Sequence, residues 1–174
     1  MRALAVVVVL TLLTGCVVSE DKVVPRLEDD TAMGKIHWLL SNHHLFSYTL
    51  DVDEESRRII WEIRGPPPAL EILSRHIAEM GEMLERGQTP RRMDPVFRLE
   101  GMVKENITTH VRWNGDKLVV EKRAKDPCSF EVIKAHARVV EGFFTKGWEE
   151  ARRMHPITKE IASACGAVLN QEGI

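Results

Sequence analysis

The chain has 174 residues, with 24 basic and 26 acidic side chains and a formal net charge of −2 at pH 7. Its basic residues are interspersed with acidic ones rather than gathered in a stripe, so it lacks the electrostatic footprint of a nucleic-acid binder. No apolar run reaches the roughly 20 residues of a membrane-spanning helix, and the length suffices for one domain with a sizeable core.

Arg2 supplies a positive start and Ala3 to Leu13 a short apolar run, the pattern of a cleaved signal peptide. The run closes on Leu13-Thr14-Gly15-Cys16, which resembles the lipobox of bacterial lipoproteins. That resemblance implies that residues 1–15 are removed, that Cys16 becomes the lipidated first residue, and that the chain is held on a membrane of the cell envelope. Val17 stands where an aspartate would resemble an inner-membrane retention signal, so an outer-membrane anchor facing the periplasm is expected in a Gram-negative host. Residues 16–30, with Glu20, Asp21, Lys22, Arg26, Glu28, Asp29 and Asp30, read as a polar tether. A single domain is expected over 31–174.

Within that domain the sequence repeats. Glu71 matches Glu131, His76 matches His136 and Gly87 matches Gly147 at a spacing of 60, while Arg92-Met93-Asp94-Pro95 matches Arg153-Met154-His155-Pro156 at 61. The first copy spans about 33–93 and the second about 94–154. Each opens with a helix, presenting Ile36, Leu39, Leu40 and His43 in the first and Val96, Leu99 and Val103 in the second. A hairpin follows: Phe46, Tyr48, Leu50 and Val52 alternate before a turn at Asp53 to Ser56, and Ile107, Thr109, Val111 and Trp113 alternate before Asn114-Gly115. A first turn one residue longer than the second would account for the change of spacing.

A longer helix ends each copy, with Leu73, His76, Ile77, Met80, Met83 and Leu84 on one face and Ile133, His136, Ala137, Val140, Phe143 and Phe144 on the other copy's face. Asp126 caps the second of these, and Gly87 and Gly147 stand at the helix ends. A last helix is expected over 158–169. The fold class is α+β: a duplicated α-β-β-α unit forming a four-stranded antiparallel sheet, with helices on one face and a pseudo-twofold axis. Lys125-Asp126-Pro127 followed by Glu131-Val132-Ile133-Lys134-Ala135-His136-Ala137 is similar to a motif of uncharacterised bacterial secreted proteins built of tandem repeats, a resemblance that implies no activity.

With Cys16 assigned to lipid, Cys128 and Cys165 are expected to form a disulfide in an oxidising compartment, the rival being a reactive thiol at Cys128 near a helix start. His76 and His136 occupy equivalent places and could meet at the repeat axis. With Met80 one turn after His76, they form the candidate metal site: imidazole with thioether suits copper, and two imidazoles suit haem iron. Such a pocket could also hold a small acidic ligand, or the histidines could simply hydrogen-bond within the core.

No catalytic residue is indicated. Gly-x-Ser-x-Gly, His-Glu-x-x-His and glycine-rich phosphate loops are all missing from the sequence. The leading expectation is a non-catalytic, lipid-anchored envelope module that binds a protein partner or supports an assembly. A haem- or copper-binding envelope protein using His76 and His136 is the second, and an enzyme of unrecognised type the third.

Overall fold

The computed structural model describes residues 23–172, so Cys16 and the signal sequence lie outside the described residues. Residues 23–30 of the expected tether have no regular structure, but Val24 and Leu27 pack against the cluster of Trp38, Leu45, Ala69 and Ile72, and the Trp38 indole N–H donates to the Pro25 carbonyl.

The first copy consists of α1 (Ala32–Ser41), a 3₁₀ turn (His43–Leu45), β1 (Ser47–Asp53), β2 (Arg58–Arg64) and α2 (Pro67–Glu85). The second repeats the order with α3 (Pro95–Met102), a 3₁₀ turn (Lys104–Asn106), β3 (Ile107–Asn114), β4 (Lys117–Ala124) and α4 (Pro127–Lys146). Local chemistry sets the boundaries. Thr31, Asp94 and Asp126 cap α1, α3 and α4 by accepting from backbone N–H groups, and proline at the start of α2, α3 and α4 occupies a position where no N–H is needed.

The strands form one antiparallel sheet in the order β1-β2-β4-β3, giving the α+β architecture expected from the alternation. Ile59, Trp61, Ile63, Leu118 and Val120 point to the helices and join Leu70, Leu73, Phe130 and Ile133 in the main core. The other face carries exposed Thr49, Asp51, Arg64, His110, Arg112 and Arg123.

Register corrects the expected turn lengths. Asp53 pairs with Arg58, leaving residues 54–57 in the first turn, whereas Asn114 pairs with Lys117, leaving only Gly115 and Asp116 in the second. The first turn is therefore longer by two residues, not one. A difference of one would turn every side chain of the returning strand to the opposite face, because strand side chains alternate; a difference of two preserves the core face. The returning strands thus correspond at a spacing of 59, and one extra residue between β4 and α4 restores the spacing of 60 in the helices.

Leu50 and Val111 are equivalent, and they pair with Trp61 and Val120 respectively. Trp61 and Val120 also face each other across the centre of the sheet, so the local twofold axis passes through that rung.

The expected last helix over 158–169 is broken into α6 (Lys159–Ala164) and α7 (Gly166–Glu172), after a short α5 (Trp148–Ala151). Cys165 leaves helical geometry, with φ −107° and ψ 13°, and the next residue is glycine, a weak helix former. Cys165 lies at disulfide distance from Cys128 in the first turn of α4, with Cα atoms 4.8 Å apart.

Candidate functional site

α1 packs on α2 and α3 on α4, but α2 and α4 do not pack along each other. A cavity of about 260 Å³ opens between them over the twofold axis. Trp61 and Val120 lie on its floor, and its sides come from equivalent positions of the two copies: Ile36 and Phe97, Met80 and Val140, Leu84 and Phe144. The C-terminal half of α2 explains why the space exists. Its apolar residues Ile77, Met80 and Leu84 face the gap and remain only half-buried.

His76 and His136 both line this cavity, and so does Met80, so the fold brings the three candidate ligands to one space. Their surroundings differ. The position equivalent to Leu39 is Glu100, and the strand position equivalent to Ile63 is Lys122. In the second copy the Glu100 carboxylate, 4% exposed, pairs with the Lys122 ammonium and lies 2.5 Å from His136 Nδ1. That contact is close enough for an ion pair yet off the line of a well-directed hydrogen bond. In the first copy the corresponding leucine and isoleucine offer nothing, and His76 Nδ1 is buried without a hydrogen-bond partner.

The electrostatics follow from these neighbours. Burial alone would raise the Glu100 carboxyl, but His136 and Lys122 outweigh it and hold its pKa far below the ordinary carboxylate range. Burial lowers the His76 pKa to about 4, with Glu79 opposing the shift and Lys35 adding to it, so this imidazole is neutral at pH 7.

Two further donors beside the space are buried without a partner. Trp61 is 3% exposed and its indole N–H has no acceptor. Arg91 lies over the Phe97 and Phe143 rings at 5.3 and 5.6 Å, and its Nε is also unpaired. The rest of the Arg91 guanidinium belongs to a second polar cluster, where it donates to the Ala151 and Arg153 carbonyls and to Asp94.

In that cluster His155 places Nδ1 2.6 Å from Asp94 and Nε2 3.0 Å from Glu150. Asp94 and His155 are the one mismatch between the two Arg-Met-x-Pro segments. The mismatch makes them complementary, and they touch. All four carboxylate oxygens have donors, counting Val96 N–H on Asp94 and Arg153 on Glu150, which suits a joint between the ends of the copies. The Glu150 carboxyl is held below its usual pKa by the His155 hydrogen bond first, against burial, with Arg153 and Lys146 assisting.

Sequence reasoning identified the two histidines and Met80 but not Glu100, Lys122 or Arg91. A signal for Lys122 was present: strand alternation puts it on the same face as Leu118 and Val120. His43, expected on the inner side, bonds the Phe144 carbonyl at 2.9 Å and lines the cavity, while His44 is exposed. Among the described residues no group of three or more His, Cys, Asp or Glu is placed to hold a metal ion, and no helix is long and apolar enough to cross a membrane. Val111 and Trp113 are exposed on one edge strand and Val52 on the other. Compared with known proteins, the chain matches no family model, no curated protein and no solved structure.

Proposed function

We propose that this chain is a non-catalytic binding module of the cell envelope, tethered by lipid on Cys16, that holds an apolar small molecule between α2 and α4. One observation carries the reading: an apolar cavity with a few convergent polar groups lies where two repeats meet, the general form of a ligand pocket. Its volume exceeds the ~150 Å³ that admits benzene in an engineered cavity and approaches the range of natural ligand pockets. A disulfide between Cys128 and Cys165 fits an oxidising compartment.

The binding test uses residues 17–174, which contain every described element, and the uncharged fluorophore N-phenyl-1-naphthylamine. Saturable fluorescence enhancement is expected, reduced at least tenfold in affinity by Met80→Trp, which fills the gap. Enhancement unchanged in that variant would place the dye elsewhere and defeat the reading. The anchor is tested by the mass of the full chain extracted from membranes: a mature protein beginning at lipidated Cys16 is expected, and release of Cys16→Ser from the membrane fraction.

The second reading is a copper or haem site, favoured because His76, His136 and Met80 line one space. His136 would ligate through Nε2, since Nδ1 faces Glu100. Metal analysis and an absorption spectrum decide it: one metal or haem per chain, lost in both His76→Ala and His136→Ala, would establish that site.

A further inference from the structure

The cavity between α2 and α4 has two flanks, one where α4 lies over β1 and one where α2 lies over β3. Both flanks are framed alike. His43 Nδ1 lies 2.9 Å from the Phe144 carbonyl near the end of α4, and its counterpart Lys104 donates to the Leu84 carbonyl near the end of α2. What stands inside each frame differs.

On the α4 flank the space is filled. Phe144 stacks on Tyr48 with ring centroids 5.1 Å apart and meets Phe46 edge-on at 5.8 Å, and the Tyr48 hydroxyl donates to the Glu141 carboxylate at 3.3 Å. Phe46 and Phe144 border the cavity, while Tyr48 and Glu141 are half-buried behind them. On the α2 flank the four corresponding residues are Ile107, Leu84, Thr109 and Gly81. None is aromatic, Thr109 and Gly81 are exposed, and a methyl group added at Gly81 would meet nothing.

A recess of about 320 Å³, bordered by all four, stands in place of the closed wall. It adjoins the cavity, because Gly81, Leu84, Thr109, Glu100 and Lys122 border both spaces. Val111, next on the same face of β3, is also exposed, whereas its equivalent Leu50 is half-buried under the α4 side.

The two spaces are unlike in character. The cavity is walled mainly by hydrocarbon, and the recess adds Glu85, Lys104 and Glu105 to Glu100 and Lys122. A wholly apolar ligand would fill the first and gain nothing from the second. A molecule with an apolar chain and a polar end would use both, since the polar end keeps its water in the recess and would lose it inside. With both signs of charge around it, the recess selects by position rather than by head charge.

We infer that the gap between α2 and β3 is the doorway of the site and that its ligand is a linear amphiphile, with the chain in the cavity and the polar end left in the recess. This rests on the reading of the cavity as a ligand site.

The test writes the closed flank into the open one. Gly81→Glu with Thr109→Tyr supplies the pair found at Glu141 and Tyr48, neither of which borders the cavity. In stopped-flow mixing of residues 17–174 with N-phenyl-1-naphthylamine, association and dissociation should both slow at least tenfold while affinity stays within about threefold, the mark of a narrowed doorway on an unchanged cavity. 1-Monolaurin is uncharged and so indifferent to the new carboxylate. Kept below its aggregation threshold, it should displace the dye from the wild-type chain and require at least tenfold more to do so from the variant. A second protein removes any dependence on that variant's folding: Gly81→Cys, a mild change in a helix, labelled with biotin-maleimide once folded. With Cys128 and Cys165 joined, the new thiol is the one that reacts. Unlabelled, it should behave as wild type; labelled, it should slow the dye and weaken monolaurin as the double variant does. Dye rates unchanged in both modified proteins would overturn the doorway. Slowed dye with monolaurin unweakened would overturn the placement of the polar end, and monolaurin that never displaces the dye from the wild-type chain would overturn the amphiphile; either result leaves the cavity reading standing. Failure of the dye to bind the wild-type chain would remove the cavity reading and this inference with it.

Discussion

His76 and His136 stand at the same place in two copies of one fold, and the copies treat them in opposite ways. His136 faces a buried carboxylate that also neutralises a lysine, while His76 faces hydrocarbon. The duplication kept the backbone, the helix starts and the axis, and changed two side chains beside each imidazole. Function in such a molecule is better sought where equivalent positions differ than where they agree. Agreement preserves the shared core, whereas difference is what turns a symmetric gap into a pocket with two ends.

The strongest way to break this comparison is to remove the carboxylate. Glu100→Ala leaves the Lys122 charge nearly buried without its partner, an arrangement that costs about 3–5 kcal/mol. Leu39→Ala, the matching change in the first copy, should cost only about 1–2 kcal/mol, because Leu39 is half-buried beside existing space. The double variant Glu100→Leu with Lys122→Ile writes the first copy's residues into the second and should recover most of the loss, since hydrocarbon often replaces a buried ion pair without penalty. Urea unfolding of the four proteins measures all of this. A double variant as unstable as Glu100→Ala would show that the polar end supports the fold rather than the ligand.

The copies also differ in how their long helices are held. α4 is joined to the α6–α7 junction through Cys128 and Cys165, while Pro68 stands opposite Cys128 at the start of α2. Replacing both cysteines by alanine should cost about 4 kcal/mol on the loop-entropy account. The loss should appear as lower hydrogen-exchange protection in α4 and α6, with α2 changed less. Equal loss in α2 would mean that the two helices open as one unit.

Much of this was legible in the sequence. Alternation at Tyr48, Leu50 and Val52 and at Thr109, Val111 and Trp113 gives the hairpins, helical spacing gives the inner faces of α2 and α4, and the repeat gives the axis. The turn length was misjudged because aligning hairpin ends by residue type ignores the parity that strand pairing enforces. The charged end was missed for a related reason: matching the copies draws the eye to His76 and His136, while Glu100 and Lys122 are the mismatches. The space between α2 and α4 could not have been inferred, since half-burial of Ile77 and Met80 depends on where the opposing helix lies.

Acid sharpens the contrast between the histidines. His76 has a pKa of about 4 in the folded chain against roughly 6.5 when exposed, so between those values the unfolded chain binds a proton that the native chain does not. Stability should therefore fall as pH drops through that window, by about 2 kcal/mol between pH 7 and 4.5 from this group. Glu100, with its depressed pKa, adds stability that is lost only below the ordinary carboxyl range near pH 4.3. His76→Leu should thus flatten the upper part of the profile and leave the lower part alone. An unchanged slope would show that His76 takes up its proton without cost.

The smallest test compares the helix ends. Gly87 and Gly147 both have positive φ, 75° and 54°, where a side chain is strained, but only one of them is crowded. Nothing lies near a methyl group added at Gly87, whereas at Gly147 it would run into the Leu40 carbonyl and the His43 ring. Gly87→Ala should cost about 1 kcal/mol from backbone strain alone. Gly147→Ala adds a collision with main chain that α1 cannot relieve without moving, and His43 is fixed by its bond to Phe144, so its cost should exceed that of Gly87→Ala by at least about 1 kcal/mol. Because Leu40 and His43 line the cavity, the same substitution should also weaken dye binding, which Gly87→Ala should not. Equal costs with equal binding would mean that the wall made by α1 is loose enough to yield, and that the first copy's end of the pocket is shaped by the ligand rather than by the fold.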